Sequence, residues 1–170
     1  MMKKSKQIAV CGVLVAVALV LSLVEKMIPV QALVPIPGIK MGLANVVTVF
    51  ALTHLRLRET IAIILVRVTL ASVFMGSVTA FLFSLFGSLL AMVVMKLLFY
   101  GEGVCFSLVG ISIAGAAAHN IGQIGAAVVV LGTIDVIGYL PMLLVVSIPM
   151  GAVTGLVCAV VLGHLNALRL

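Results

Sequence analysis

Unbroken apolar runs at residues 61–65, 89–94 and 126–131 restrict this chain more than any other feature. A membrane barrel is built from strands that alternate apolar and polar residues over segments of about ten. These runs do not alternate. The remaining structure that satisfies its own backbone in hydrocarbon is the α-helix. Composition sets the solvent: 65% of the residues are apolar and 8% are charged. Soluble domains are typically about 45–50% apolar and about a quarter charged. Lipid, not water, must cover most of this surface.

A span needs roughly 20 residues. The punctuation predicts about six helices, over 8–24, 40–55, 60–75, 79–100, 107–131 and 139–164. Pro29, Pro35, Pro37 and Gly38 mark a long loop over 25–39, and short turns fall at 76–77, 101–103 and 132–135. A bend is expected at Pro149. The chain therefore reads as one all-α, polytopic transmembrane domain over 1–170. The first helix follows Lys3, Lys4 and Lys6, as in a signal peptide, but Glu25, Lys26 and Pro29 follow it instead of a small-residue cleavage site.

The net charge is +6, and its distribution sets the expected orientation. With the N-terminus inside, Lys3, Lys4, Lys6, Arg56, Arg58, Lys96 and Arg169 are cytoplasmic, and Lys26 and Lys40 are external. Both termini are then cytoplasmic, in a cell membrane. These charges sit at helix ends and form no aromatic-studded basic patch, so nucleic acid is not an expected partner. Cys11, Cys105 and Cys158 are far apart and lack metal-ligand spacing; they read as small apolar fillers.

Polar groups inside apolar helices carry the functional signal, because burying them in lipid is costly. Arg67 lies near the middle of the third helix. His119, Asn120 and Gln123 lie three and four residues apart on the fifth, within reach of one another. Asn45 lies in the second helix with Thr48 three residues on, and Lys40 stands at its expected mouth. In the predicted topology these groups share one depth range open to the exterior. Lys40, Arg67, Asn45, His119, Asn120 and Gln123 are thus the candidate ligand-binding set, and its positive charge predicts a small anionic ligand. Arg67 in particular has no expected internal counter-ion, with Glu25 read as a loop residue. Asp135 and Tyr139 are placed near an outer turn; His54 and His164 read as interfacial. Ala9, Gly12 and Ala16 form a small-residue stripe on the first helix, suited to an intramolecular seam or to docking a partner.

Absences narrow the chemistry. No G-x-x-x-x-G-K-[ST] loop is present. The acidic residues number 4, namely Glu25, Glu59, Glu102 and Asp135, and none are paired for Mg²⁺–diphosphate or acid–base work. No enzymatic activity, metal or cofactor is expected.

The stretch 37–45, Arg67, the run 118–123 (Ala-His-Asn-Ile-Gly-Gln) and the run 139–141 (Tyr-Leu-Pro) resemble the Gx transporter family, also known as heptaprenyl diphosphate synthase component I. That family is similar to the substrate-binding S components of energy-coupling-factor transporters. The resemblance implies a six-helix membrane protein that captures a micronutrient from outside, with a membrane coupling subunit and ATPases as partners. It also implies a docking motif on the first helix, to which Gly12 and Ala16 are the nearest match. The synthase name points to another role, as an accessory membrane subunit of heptaprenyl diphosphate or quinone biosynthesis. A single Asp rules out the Asp-rich motifs of the synthase itself.

Overall fold

A computed structural model describes residues 4–27, 40, 42–75, 77–101 and 106–167. Much of the expected loop over 25–39, together with Gly76 and the turn residues 102–103, lies outside the described residues. The described chain is all-α. Six α-helices follow one another: α1 Lys4–Lys26, α2 Asn45–His54, α3 Leu57–Met75, α4 Val78–Leu98, α5 Leu108–Leu131 and α6 Leu140–Ala167. Short 3₁₀ turns at Phe99–Gly101 and Ile134–Tyr139 follow α4 and precede α6.

Local chemistry accounts for the boundaries. Ser77 and Ser107 cap α4 and α5, their hydroxyls accepting from Ala80 N at 3.2 Å and Gly110 N at 3.1 Å. Gly132, at φ 68°, ends α5 in the left-handed conformation that glycine adopts without strain. α6 remains helical through Pro149. Four helices, α1, α4, α5 and α6, are long and apolar enough to cross a membrane. α3 is 19 residues long and carries Arg58, Glu59 and Arg67.

The second helix differs from expectation. It begins at Asn45, not at residue 40, and has 10 residues. At 1.5 Å per residue that covers about half of a hydrocarbon core roughly 30 Å thick. Gly42 breaks the helix: its φ of 87° lies outside the right-handed region. Irregular backbone at membrane depth is tolerated where protein buries it or a cavity needs it, and Gly42 and Ala44 are both buried.

α5 is the central helix, packed extensively against α4 on one side and α6 on the other, while α1 packs chiefly on α3. The α4–α5 crossing is close because two glycines meet there. A Cβ on Gly122 would lie 2.7 Å from the Phe86 carbonyl oxygen and 2.9 Å from Gly87 Cα. Such small-residue crossings are how helices associate where lipid supplies no hydrophobic drive. The α1 and α3 N-termini share one end of the bundle, tied by a hydrogen bond from the Gln7 side chain to Glu59.

Candidate functional site

At the opposite end, five segments bring polar side chains into one buried cluster. α1 contributes Ser22 and Glu25, α3 Arg67, α4 Ser84 and Ser88, and α5 His119, Asn120 and Gln123; Asn45 completes it, with the backbone of the half-buried Lys40 and of Gly42 alongside. Ala18, Ser22 and Glu25 recur at helical spacing on the buried side of α1. Sequence reasoning ended the first helix at Val24 and left Glu25 in a loop. The helix instead continues to Lys26, and that extra turn aims Glu25 inward.

This corrects the expectation for Arg67. Arg67 is 5% exposed, and its guanidinium donates to Ser88 Oγ at 2.6 Å and to Ser22 Oγ at 3.4 Å. The buried Glu25 carboxylate lies within its electrostatic reach. Arg67 thus has internal partners from α1 and α4, and the inference of an anionic ligand from an unmatched arginine loses its support. Ser22, Ser88, Ser84 and Glu25 are buried polar residues that the sequence reading left out of the candidate set. The one available signal was the spacing of Ser22 from Glu25 and of Ser84 from Ser88.

Gln123 and Glu25 hold the non-helical segment. Gln123 Oε1 accepts from Lys40 N at 2.9 Å, and its Nε2 donates to the Lys40 carbonyl at 2.7 Å. Glu25 accepts from the Gly42 amide. These two side chains replace the backbone partners that a helix would have supplied. Asn120 braces α6, donating from Nδ2 to the Leu143 carbonyl at 2.9 Å and accepting from Gln123 Nε2 at 3.2 Å. Asn120 and Gln123 therefore join the predicted cluster, with their polar atoms bonded to the protein.

Asn45 and His119 are different. They are 1% and 2% exposed, yet both amide atoms of Asn45 and both ring nitrogens of His119 lack a hydrogen-bond partner, as does Ser84 Oγ. The Gly87 backbone acts on the imidazole but lies outside hydrogen-bond geometry. Two glycines frame the pair. A Cβ on Gly42 would lie 2.8 Å from Asn45 Nδ2 and 3.2 Å from His119 Cδ2, and one on Gly87 would lie 3.0 Å from His119 Cε1. Buried polar groups are nearly always paired, so the unpaired atoms set Asn45, His119 and Ser84 apart from the rest of the cluster.

Other sequence candidates lie elsewhere. Asp135 is exposed and accepts from Thr133 Oγ1 at 2.9 Å, and Tyr139 packs against the core cluster that contains Phe83 and Ile124. His54 stacks on Phe50. Ala9, Gly12 and Ala16 are exposed, and α1 is the least buried of the four long apolar helices. Its seam with the bundle runs through Leu14, Ala18 and Leu21 instead. Among the described residues, no three His, Cys, Asp or Glu side chains cluster as metal ligands. An apolar groove of about 610 Å³ lies between α4 and α5, walled by Leu82, Phe86, Leu90 and Val129 over Gly122 and Gly125.

Residues 14–161 match the family model of heptaprenyl diphosphate synthase component I. The chain belongs to that family. No curated protein and no solved structure matches it. A component of a synthase implies a partner subunit, in keeping with a membrane protein that acts in an assembly. The residues over which the family model runs include every member of the polar cluster.

Proposed function

We propose that this protein is the substrate-binding membrane component of a micronutrient uptake transporter, similar to the S components of energy-coupling-factor transporters. The observation that carries this reading is Asn45, fully buried with both amide atoms unpaired, beside an unpaired His119. The segment around Gly42 covers them and is held by two side chains, a small set of bonds to exchange when a ligand enters. The chain itself performs no catalysis. With both termini cytoplasmic, as the basic residues predict, the Lys40 end faces outside; labelling of Gln31→Cys with an impermeant thiol reagent on intact cells checks this. The exposed Ala9, Gly12 and Ala16 stripe is the surface offered to a membrane coupling subunit and its ATPases.

Unpaired buried polar atoms cost about 1–3 kcal/mol each in mutational data. Asn45→Leu and His119→Leu should therefore unfold no more readily than the wild type when empty. Both should lose any small molecule that native mass spectrometry finds bound to the wild-type protein. Marked destabilisation of both variants would make these side chains structural and remove the site.

A second reading, an accessory subunit of heptaprenyl diphosphate or quinone biosynthesis, draws on the family name and on the apolar groove between α4 and α5, whose lining suits an isoprenoid chain. The same membrane preparation separates the two. Co-purifying ATPases and a membrane coupling subunit support transport. A co-purifying prenyl synthase supports the accessory role.

A further inference from the structure

The polar cluster contains charged and uncharged groups, and they are not equally available. Arg67 is bonded to Ser22 and Ser88, and Glu25, which holds the Gly42 amide, lies in its field. Both buried charged side chains are thus bonded to the protein's own groups. The unpartnered atoms belong to neutral side chains, chiefly the Asn45 amide and the His119 ring.

We propose that the deep end of this site recognises an uncharged group bearing a hydrogen-bond donor and an acceptor side by side, such as a ring lactam or a carboxamide, and not an anion. The proposal rests on the reading that the cluster binds a ligand, and it names the chemistry of that ligand. Asn45 offers both a donor, Nδ2, and an acceptor, Oδ1. A carboxylate or phosphate only accepts; it would pair with Nδ2 and leave Oδ1 buried and unsatisfied. An ammonium only donates, with the reverse result. A lactam or carboxamide satisfies both amide atoms at once. The argument is unchanged if the amide is turned over, since both of its ends lack partners. His119 repeats the pattern: a neutral imidazole has one N–H and one acceptor nitrogen.

The framing glycines fit this account. A side chain at Gly42 would crowd Asn45 Nδ2, and one at Gly87 would crowd His119 Cε1, at 2.8 and 3.0 Å. Glycine at both positions lets the backbone lie directly against the two recognising side chains.

The test uses the full chain purified in detergent, and matched probes that differ at the recognised group: nicotinamide against nicotinate, and benzamide against benzoate. Affinity is read by ligand-observed NMR and by thermal shift. The amides should bind at least about tenfold more tightly than the acids, the factor that one unsatisfied buried hydrogen-bonding group is worth. Asn45→Leu should abolish that preference. Acids that bind as well as their amides, or a preference that survives in Asn45→Leu, would overturn the proposal and leave the ligand-binding reading intact. So would amides that fail to bind a protein from which a small molecule co-purifies. Absence of any bound or added ligand would sink both.

Discussion

Replacing Arg67 by methionine should lower the melting temperature of the purified protein substantially. Stranding a buried charge by removing its partner costs about 3–5 kcal/mol, which corresponds to roughly 6–20 °C at the 2–4 °C per kcal/mol typical of a chain this size. The physical reason lies in what Arg67 leaves behind. Ser22 and Ser88 lose a charged donor, and Glu25, 3% exposed, loses the influence of Arg67 and keeps that of the half-buried Lys40. Arg67→Lys should fall between, because an ammonium lacks the planar fork that reaches hydroxyls on α1 and α4 together. The decisive variant is the double one. Arg67→Met with Glu25→Gln removes both charges, while the glutamine amide oxygen can still accept from the Gly42 amide. Most of the lost stability should return. Thermal unfolding of the wild type, Arg67→Met, Glu25→Gln and the double variant in one detergent gives the cycle. If Arg67→Met is as stable as the wild type, or if Glu25→Gln restores nothing, the two side chains do not compensate each other.

The helix order was legible because run length and glycine, proline and serine punctuation decide it locally. Ser77, Ser107 and Gly132 act at the ends where their chemistry places them. The clustering of His119, Asn120 and Gln123 was legible for the same reason, since spacing alone puts them together. Two of the misread boundaries matter to the site. Residues 40–44 carry no proline and fit a helical pattern in sequence, but Gly42 has a φ of 87° and α2 begins at Asn45. Glu25 follows an apolar run, and a charge there ordinarily marks its end; α1 nevertheless continues to Lys26. The division of labour within the cluster was not legible at all. Gln123 is committed by a backbone group 83 residues away in sequence, and Arg67 by serines that resemble any serine in an apolar helix. Which polar groups remain unpaired is a property of the assembled bundle.

That bundle depends on how closely α4 and α5 approach, and two glycines on α5 test this with opposite signs. Gly122 faces α4. A methyl there would meet the Phe86 carbonyl oxygen at 2.7 Å and Gly87 Cα at 2.9 Å. Both are backbone atoms, so no side-chain rotation relieves the clash, and the helices must separate. Overpacking of this kind costs about 1–3 kcal/mol. Gly125 lies three residues on, but a Cβ there would meet nothing within 4 Å. Alanine at that position removes backbone freedom from the unfolded chain and should be neutral or stabilising by about 0.5–1 kcal/mol. Gly122→Ala should therefore melt clearly below the wild type, and Gly125→Ala at or above it. The functional consequence follows from Gly87, which touches Gly122 on one side and the His119 ring on the other. Moving α4 away shifts Gly87 from the imidazole and carries Ser88 away from Arg67, so Gly122→Ala should also weaken ligand retention while Gly125→Ala leaves it unchanged. Equal melting temperatures for the two variants would show that the α4–α5 crossing tolerates a methyl group, and that the position of His119 does not depend on it.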